Sequence, residues 1–139
     1  MAKNLNILVA VDGSDTALRA LKHAVSLEPA RGRLHVLYVQ VPILRSRAVT
    51  QALIDEHYER QRSLALGKAQ AYLARAKAAA TTEVCLGDPA PTIVDYGRRK
   101  KCNLIVMGNR GHSAIKGLFL GSVALKVVQL ADVPVTLVK

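Results

Sequence analysis

A pattern of glycines in the last third of the chain has the spacing of an anion-binding loop. Gly108-Asn109-Arg110-Gly111 follows a short apolar run, and Gly121-Ser122 comes after nine further residues. Glycines let backbone N–H groups approach an anion closely, and a helix N-terminus adds unpaired N–H donors with about half a positive charge. The pattern therefore indicates a strand, a glycine-cornered loop and a helix start that together hold phosphate.

Five short apolar runs are expected to form the strands that position this loop. They are residues 5–11, 34–39, 83–86, 103–107 and 133–138. The first, fourth and fifth runs are nearly continuous rather than alternating, which is typical of strands covered on both faces in a parallel sheet. Residues 5–11 end in Ala10-Val11, and Asp12-Gly13-Ser14 follow as a second candidate loop.

Four segments with helical character separate these runs. The first has an N-cap candidate in Ser14 or Asp15. The second is Ala-rich and extends over about residues 50–80, where Gly67 is a possible interruption.

The last two helices are shorter. The third is expected to begin near Pro91 and to end by Lys101, since proline suits the first turn of a helix. The fourth is expected from Gly121-Ser122 to about Ala131. Its predicted inward face consists of Ala124, Val127, Val128 and Ala131.

The alternation of strands and helices predicts an α/β fold with a doubly wound, mainly parallel five-stranded sheet, flanked by about four helices. Ligands of such sheets bind beyond the carboxyl ends of the strands, where the strand order reverses. The loops at Asp12 and Gly108 both follow strands. If those strands are neighbours, an acid and a phosphate cradle converge on one crevice.

Length and composition are those of a compact soluble protein. The 139 residues fit one domain, residues 1–139, without a linker, and half of them are apolar. No stretch approaches the roughly 18 apolar residues of a membrane span, and the N-terminus lacks the order of a secretory signal, so we expect no membrane association and a cytoplasmic location. Cys85 and Cys102 are far from a CxxC spacing and are expected to be reduced structural thiols.

The formal net charge of +10 raises the possibility of a polyanionic partner. The densest basic run, Arg98-Arg99-Lys100-Lys101, falls where the third helix should end, and cations there complement the helix dipole. With four Tyr, one Phe and no Trp, a base-stacking platform is hard to assemble. We therefore do not expect nucleic acid as a partner.

The order of the motifs along the chain resembles a known family. GxxxxGK[ST] and GxG are absent from the loop, which argues against a P-loop or a dinucleotide fingerprint. Residues 7–14 (ILVAVDGS), Gly87-Asp88-Pro89, residues 103–108 (NLIVMG) and residues 133–138 (VPVTLV) flank a complete G-x2-G-x9-G-[ST] signature. Over essentially the whole chain, this order resembles the ATP-binding branch of the universal stress protein family.

The resemblance implies a Rossmann-type fold of the adenine nucleotide alpha hydrolase kind, with ATP, or AMP or ADP, as the ligand and Mg²⁺ accompanying it. The loop and the fourth helix start would hold phosphates and ribose, and the backbone at the end of the second strand would meet adenine. Ala10 stands where some members have proline. The implied nucleotide-binding residues are Ala10, Asp12, Val39, Gly108, Arg110, Gly111, Gly121, Ser122 and Val123.

Three of these residues have a structural alternative that the sequence leaves open. Asp12 either accepts hydrogen bonds from ribose, adenine or a magnesium-bound water, or forms an Asx turn. Ser122 either contacts phosphate or only caps the fourth helix. Arg110 either grips phosphate oxygens or is an exposed loop residue. His112, Ser113 and Lys116 are further candidates for contacting the terminal phosphates.

The leading functional hypothesis is a nucleotide-binding stress-response regulator that pairs as a homodimer through the edge strand from Val133 to Val138. No catalytic residue is assigned, because no Ser-His-Asp or His-cluster spacing is evident, and His23, His35 and His57 are interpreted as structural. One alternative is a slow ATPase or phosphotransferase that uses His112 or Ser113. Another is a polyanion-binding protein that uses the basic surface.

Overall fold

The computed structural model describes residues 4–112 and 119–139. Within these residues, five parallel strands form one sheet in the order β3-β2-β1-β4-β5. The strands are β1 (Ile7–Ala10), β2 (Leu34–Gln40), β3 (Thr81–Leu86), β4 (Leu104–Gly108) and β5 (Val135–Val138). The predicted parallel sheet is confirmed, although β5 begins two residues later than the sequence pattern suggests.

In the described part of the chain, four helices cover the two faces of this sheet. They are α1 (Asp15–Ser26), α2 (Gln51–Ala76), α3 (Pro89–Arg99) and α4 (Ser122–Leu130). Ile7 and Val9 share a buried cluster with α1 and α2, whereas Leu8 and Ile105 share one with α3 and α4. Side chains of each strand thus alternate between two apolar layers, which explains the continuous apolar runs.

The strand order reverses at β1. From β1 the chain moves outward to β2 and β3, then crosses back to β4 on the other side of β1 and ends at β5. Ile7 to Ala10 therefore pair with β2 on one side and with β4 on the other. The loops that follow β1 and β4 meet at the carboxyl edge, where a doubly wound sheet opens a ligand crevice.

Capping residues define the starts of the first two helices. Ser14, not Asp15, is the N-cap of α1, and its hydroxyl accepts the backbone N–H of Ala17 at 3.2 Å. Thr50 caps α2 in the same way through the N–H of Leu53. The sequence allowed either residue as the α1 cap, and the serine satisfies an otherwise unpaired N–H group.

The second helix runs without interruption through Gly67. A Cβ atom at this glycine would meet nothing within 4 Å, so its presence reflects neither crowding nor a break in the helix. The 26 residues of α2 span about 39 Å at 1.5 Å per residue, against about 23 Å for the seven-residue β2. The helix is therefore much longer than the strand it covers.

Two details of the later helices differ from the sequence predictions. The third helix begins at Pro89 rather than near Pro91, because Asp88 adopts the extended N-cap conformation that precedes a proline at N1. On α4, Ala124 and Val127 are buried, but Val128 is 46% exposed, so its predicted inward position is wrong.

The basic run at the end of α3 contacts other parts of the chain. Arg98 forms ion pairs with Asp95 and Asp132, and Lys100 pairs with Glu83. Arg99 lies with its guanidinium 5.4 Å from the centre of the Tyr96 ring. These contacts agree with a structural role at the helix end.

Cys85 and Cys102 are free thiols, and burial raises the pKa of Cys102 to about 11. Within residues 4–112 and 119–139, no helix is long and apolar enough to cross a membrane.

Candidate functional site

A cavity of about 600 Å³ opens at the carboxyl edge of the sheet, between the ends of β1, β2 and β4. Residues from α2, α3 and α4 complete its walls. The structure brings all nine residues of the predicted nucleotide site to this cavity. They are Ala10, Asp12, Val39, Gly108, Arg110, Gly111, Gly121, Ser122 and Val123.

Three glycines of the motif lie where a side chain would be crowded. A Cβ atom on Gly108 would lie 2.7 Å from Oγ1 of Thr16, and one on Gly121 would lie 3.3 Å from Cα of Arg110. At Gly111 it would collide with the Asp12 carboxylate. The spacing of the glycines thus reflects the close approach of the β4–α4 loop to the β1–α1 loop and to the start of α4.

Asp12 connects the two loops through both of its carboxylate oxygens. Oδ1 accepts the backbone N–H of Ser14 at 2.9 Å, and Oδ2 accepts the backbone N–H of His112 at 3.3 Å. The first bond is the Asx turn that the sequence left as an alternative, and the second reaches across to the glycine loop. Asp12 is half-buried and lines the cavity, so the turn and a ligand contact are compatible.

Hydrogen bonds to β5, to the N-cap of α4 and to α1 hold the loop after β4 in place. Asn109 donates its backbone N–H to the carbonyl of Val138 at 2.8 Å, and its own carbonyl accepts the N–H of Gly121 at 2.7 Å. The Thr16 hydroxyl donates to the carbonyl of Arg110. Among the hydrogen bonds of the described residues, none uses the N–H of Arg110 or of Gly111.

Ser122 is the first residue of α4, and Gly121 is its N-cap. Its proposed role as the cap is therefore wrong, because its hydroxyl stands one position too far along the helix. The side chain is exposed and lines the cavity, as does the half-buried Val123. The N–H groups of this first turn have no acceptor within the helix, so they add donors to the same wall.

Two further candidates also line this wall. Arg110 is half-buried and His112 is exposed. Ser113 and Lys116, the other candidates for contacting terminal phosphates, lie outside the described residues. The side of the cavity nearest β4 and α4 is therefore rich in backbone N–H donors and carries a guanidinium group.

The opposite side of the cavity is mainly apolar. Val39, Ile43, Pro89 and Ile93 line it. A cavity with N–H donors at one end and aliphatic side chains at the other matches a ligand that has a phosphate at one end and a flat, weakly polar group at the other.

Tyr38 and Gln40 stabilise the end of β2 beside this apolar region. The Tyr38 hydroxyl donates to Oε1 of Gln40 at 2.9 Å, and Nε2 of Gln40 donates to the carbonyl of Val41 at 3.0 Å. Burial, together with the charge of Asp12, raises the pKa of Tyr38. The phenol therefore remains a hydrogen-bond donor near neutral pH.

Sequence reasoning missed the contribution of α2 to the cavity. His57 and Gln61 line it, although His57 was interpreted as structural and Gln61 was not singled out. They lie four residues apart, and Ala65 continues the same helical face. The spacing was available in the sequence, but the position of the helix relative to the sheet edge was not.

The sequence model of the Universal stress protein family matches residues 3–139. The chain belongs to this family. The universal stress protein YxiE of Bacillus subtilis is 33% identical over 96% of this chain and 97% of its own length. The range matched by the family model includes the motif and all five strands.

Solved structures of the family share the fold of this universal stress protein. UspA from Lactobacillus plantarum matches with a TM-score of 0.84 and 27% identity, covering 100% of both chains. A universal stress protein in complex with cAMP matches with a TM-score of 0.69 and 28% identity over 97% of each chain. One from Archaeoglobus fulgidus in complex with dAMP has a TM-score of 0.64 and 28% identity, covering 100% of both chains.

Proposed function

We propose that this universal stress protein binds adenine nucleotides, with ATP as its ligand, and acts as a stress-response regulator. The observation that carries the proposal is the glycine cradle, which consists of Gly108, Gly111 and Gly121 with the backbone around them. The cradle and the Asp12 carboxylate line the same cavity as an apolar wall. Similar proteins in complex with cAMP and dAMP support an adenine nucleotide as the ligand class.

Each part of the cavity offers groups that match one part of a nucleotide. The N–H groups of Arg110, Gly111 and the first turn of α4 are donors for phosphate oxygens, and the Arg110 guanidinium supplies a charge. Asp12, between the two loops, is an acceptor for ribose hydroxyls. The apolar wall at Val39 offers a surface for the base.

Mg²⁺ would enter with the phosphates of ATP. Within residues 4–112 and 119–139, no group of three or more His, Cys, Asp or Glu side chains could hold a metal ion. Nucleotide-bound Mg²⁺ does not need such a group, because it keeps several waters and uses the phosphates with one or two carboxylates. Asp12 fits that requirement, directly or through a water.

Regulation requires that the nucleotide site communicates with a surface that partners contact. The hydrogen bond from Asn109 to Val138 links the cradle to β5, which in the described part of the chain pairs only with β4 and is an edge of the sheet. We propose that a second copy of the chain pairs at this edge to form a homodimer, with nucleotide binding altering the pairing. A ligand shifts such an equilibrium when it prefers one state.

The test combines ligand identification with affinity measurements. Native mass spectrometry would identify adenine nucleotide that copurifies with the protein, and calorimetry would measure the Kd for ATP with Mg²⁺, followed by analysis for ADP. Gly111→Val should weaken ATP binding by at least about a hundredfold, because its side chain would occupy the space of the Asp12 carboxylate and obstruct the cradle. Gly67→Ala is the matched control, since a Cβ there meets nothing.

Tight binding without ADP production would support the regulator. Steady ADP production would favour a slow ATPase instead. Unchanged ATP affinity in folded Gly111→Val protein, or no adenine nucleotide binding by the wild type, would reject the proposed site.

A further inference from the structure

The geometry points to α2 as the element that recognises the base. We propose that Gln61 and His57 hydrogen-bond the edge of the adenine base, with the Gln61 carboxamide accepting from its 6-amino group. This inference rests on the proposed nucleotide site and adds a specificity-determining wall to it.

The first half of α2 extends past the carboxyl edge of the sheet. Gly13, in the loop after β1, packs so closely on α2 that a Cβ atom there would lie 2.5 Å from the Leu64 carbonyl oxygen and 3.2 Å from Cα of Ala65. Leu64 therefore lies at the same height as the carboxyl edge of the sheet. Because α2 runs toward the start of β3, its residues before Leu64 stand beyond that edge, next to the cavity.

Gln61 and His57 lie on the face of α2 that turns inward. Counted back from Ala65, they lie one and two helical turns further out, at four-residue intervals. Ile54, nearly one turn beyond His57, is only 6% exposed, so this part of the helix packs against protein although it has left the sheet. The Tyr58 hydroxyl accepts the backbone N–H of Ile43 at 3.0 Å and holds the segment after β2 against the helix.

The position of α2 determines which end of the ligand the helix contacts. The cradle follows β4, whereas α2 packs on β2, two strands away, and adjacent strands are about 4.8 Å apart. A ligand with its phosphate at the cradle therefore extends across β1, and its base arrives beneath α2. At this end the apolar side chains are joined by the polar side chains of Gln40, His57 and Gln61.

The polar groups of Gln61 and His57 are available to hydrogen-bond a ligand. Gln40 also lines this end, but its carboxamide is engaged with Tyr38 and with the carbonyl of Val41. Among the hydrogen bonds of the described residues, none uses the side chain of Gln61 or His57. A carboxamide offers both an acceptor and donors, and a neutral imidazole offers one of each, which complements the amino group and ring nitrogens of adenine.

The experiment compares AMP with purine riboside 5′-monophosphate, which lacks only the 6-amino group, in wild-type protein and in Gln61→Leu. Leucine keeps most of the volume and removes the hydrogen bonds. We expect Gln61→Leu to raise the Kd for AMP about tenfold and that for the purine riboside nucleotide less than about threefold. Gln70→Leu, an exposed change on the same helix, should alter neither Kd by more than about twofold.

The outcomes separate this inference from the proposed function. If wild-type protein binds AMP but Gln61→Leu binds it equally well, or loses both ligands to the same degree, the base contact is overturned while the nucleotide site stands. If wild-type protein binds neither ligand nor ATP, the proposed function fails and the base wall fails with it. His57→Phe, which keeps a ring and removes its nitrogens, should also weaken AMP binding, and an unchanged Kd would remove His57 from the wall.

Discussion

Oδ2 of Asp12 accepts the backbone N–H of His112 at 3.3 Å, so the loop after β1 holds the loop after β4 across the floor of the cavity. Oδ1 of the same carboxylate accepts the N–H of Ser14 at 2.9 Å. One acidic side chain thus shapes its own turn and fixes the position of the glycine cradle. Asp12 also lines the cavity.

Replacing Asp12 by Asn should separate these roles. The amide oxygen can still accept the N–H of Ser14, but an amide NH₂ group in place of Oδ2 cannot accept the N–H of His112 or a ribose hydroxyl. We expect the free energy of unfolding to change by less than about 1.5 kcal/mol, and the Kd for ATP with Mg²⁺ to rise about tenfold or more. Chemical denaturation and calorimetry measure the two effects.

Asp15→Asn is the matched control for this substitution. Asp15 is exposed and its ion pair with Lys68, at 3.0 Å, lies outside the cavity. This variant should bind ATP like the wild type. Equal affinities of Asp12→Asn and Asp15→Asn for ATP would show that the Asp12 carboxylate makes no contact with the nucleotide.

The proposed pairing of two chains at the β5 edge should depend on the apolar surface of α4. Leu125 and Val128 are each 46% exposed and lie three residues apart on this helix, which contacts β5. In a two-fold dimer each substitution appears twice, so glutamates at both positions would place like charges together. We expect the double variant Leu125→Glu/Val128→Glu to raise the dimer Kd about a hundredfold, measured by sedimentation.

Leu64→Glu provides the comparison for the dimer experiment. Leu64 is 64% exposed, but it lies on α2, away from β5. This variant should sediment as the wild type does. If Leu64→Glu dissociates the dimer and the α4 variant does not, the two chains pair through another surface.

The continuous apolar runs made the sheet predictable, because strands buried on both faces need apolar residues at every position. The glycine spacing likewise predicted the loop between β4 and α4, and Gly108, Gly111 and Gly121 all occupy crowded positions. A position that has no space for a side chain requires glycine, and the glycine is visible in the sequence.

No comparable sequence signal shows that α2 lines the cavity. Helical periodicity shows which residues share a face with Ala65, but Gln61 and His57 meet the cavity only because the helix overhangs the sheet edge. That overhang follows from the packing of Gly13 on Leu64, a contact between residues 51 positions apart. For the same reason, the sequence could not show that Gly121 rather than Ser122 caps α4, because a glycine cap has no side chain to signal it.

The pole opposite the cavity contains a buried histidine whose titration should affect stability. His35 is 8% exposed, and its Nε2 lies 3.0 Å from Oδ1 of Asn6. The Asn6 amide donates to the carbonyls of Lys100 and Lys101, so Oδ1 is left as an acceptor and Nε2 of His35 carries the proton. The imidazole in this arrangement is neutral, with Nδ1 buried.

Burial lowers the pKa of His35 below its ordinary value of 6.5, and the charge of Lys100 lowers it further against the opposing effect of Glu83. Between that lowered pKa and about pH 6.5, the unfolded chain binds a proton that the folded chain does not. The free energy of unfolding should therefore be unaffected by this group above about pH 6.5 and should decrease as the pH falls below it, by at most about 1.4 kcal/mol per pH unit.

His35→Gln tests this contribution, because a glutamine amide can still donate to Asn6 but does not titrate. Urea denaturation between about pH 5 and pH 8 should give a flatter stability profile below pH 6.5 for this variant than for the wild type. His23→Gln, at an exposed position, should keep the wild-type slope. Parallel profiles for wild type and His35→Gln would contradict the argument, because they would mean that His35 takes up its proton as readily in the folded chain as in the unfolded one.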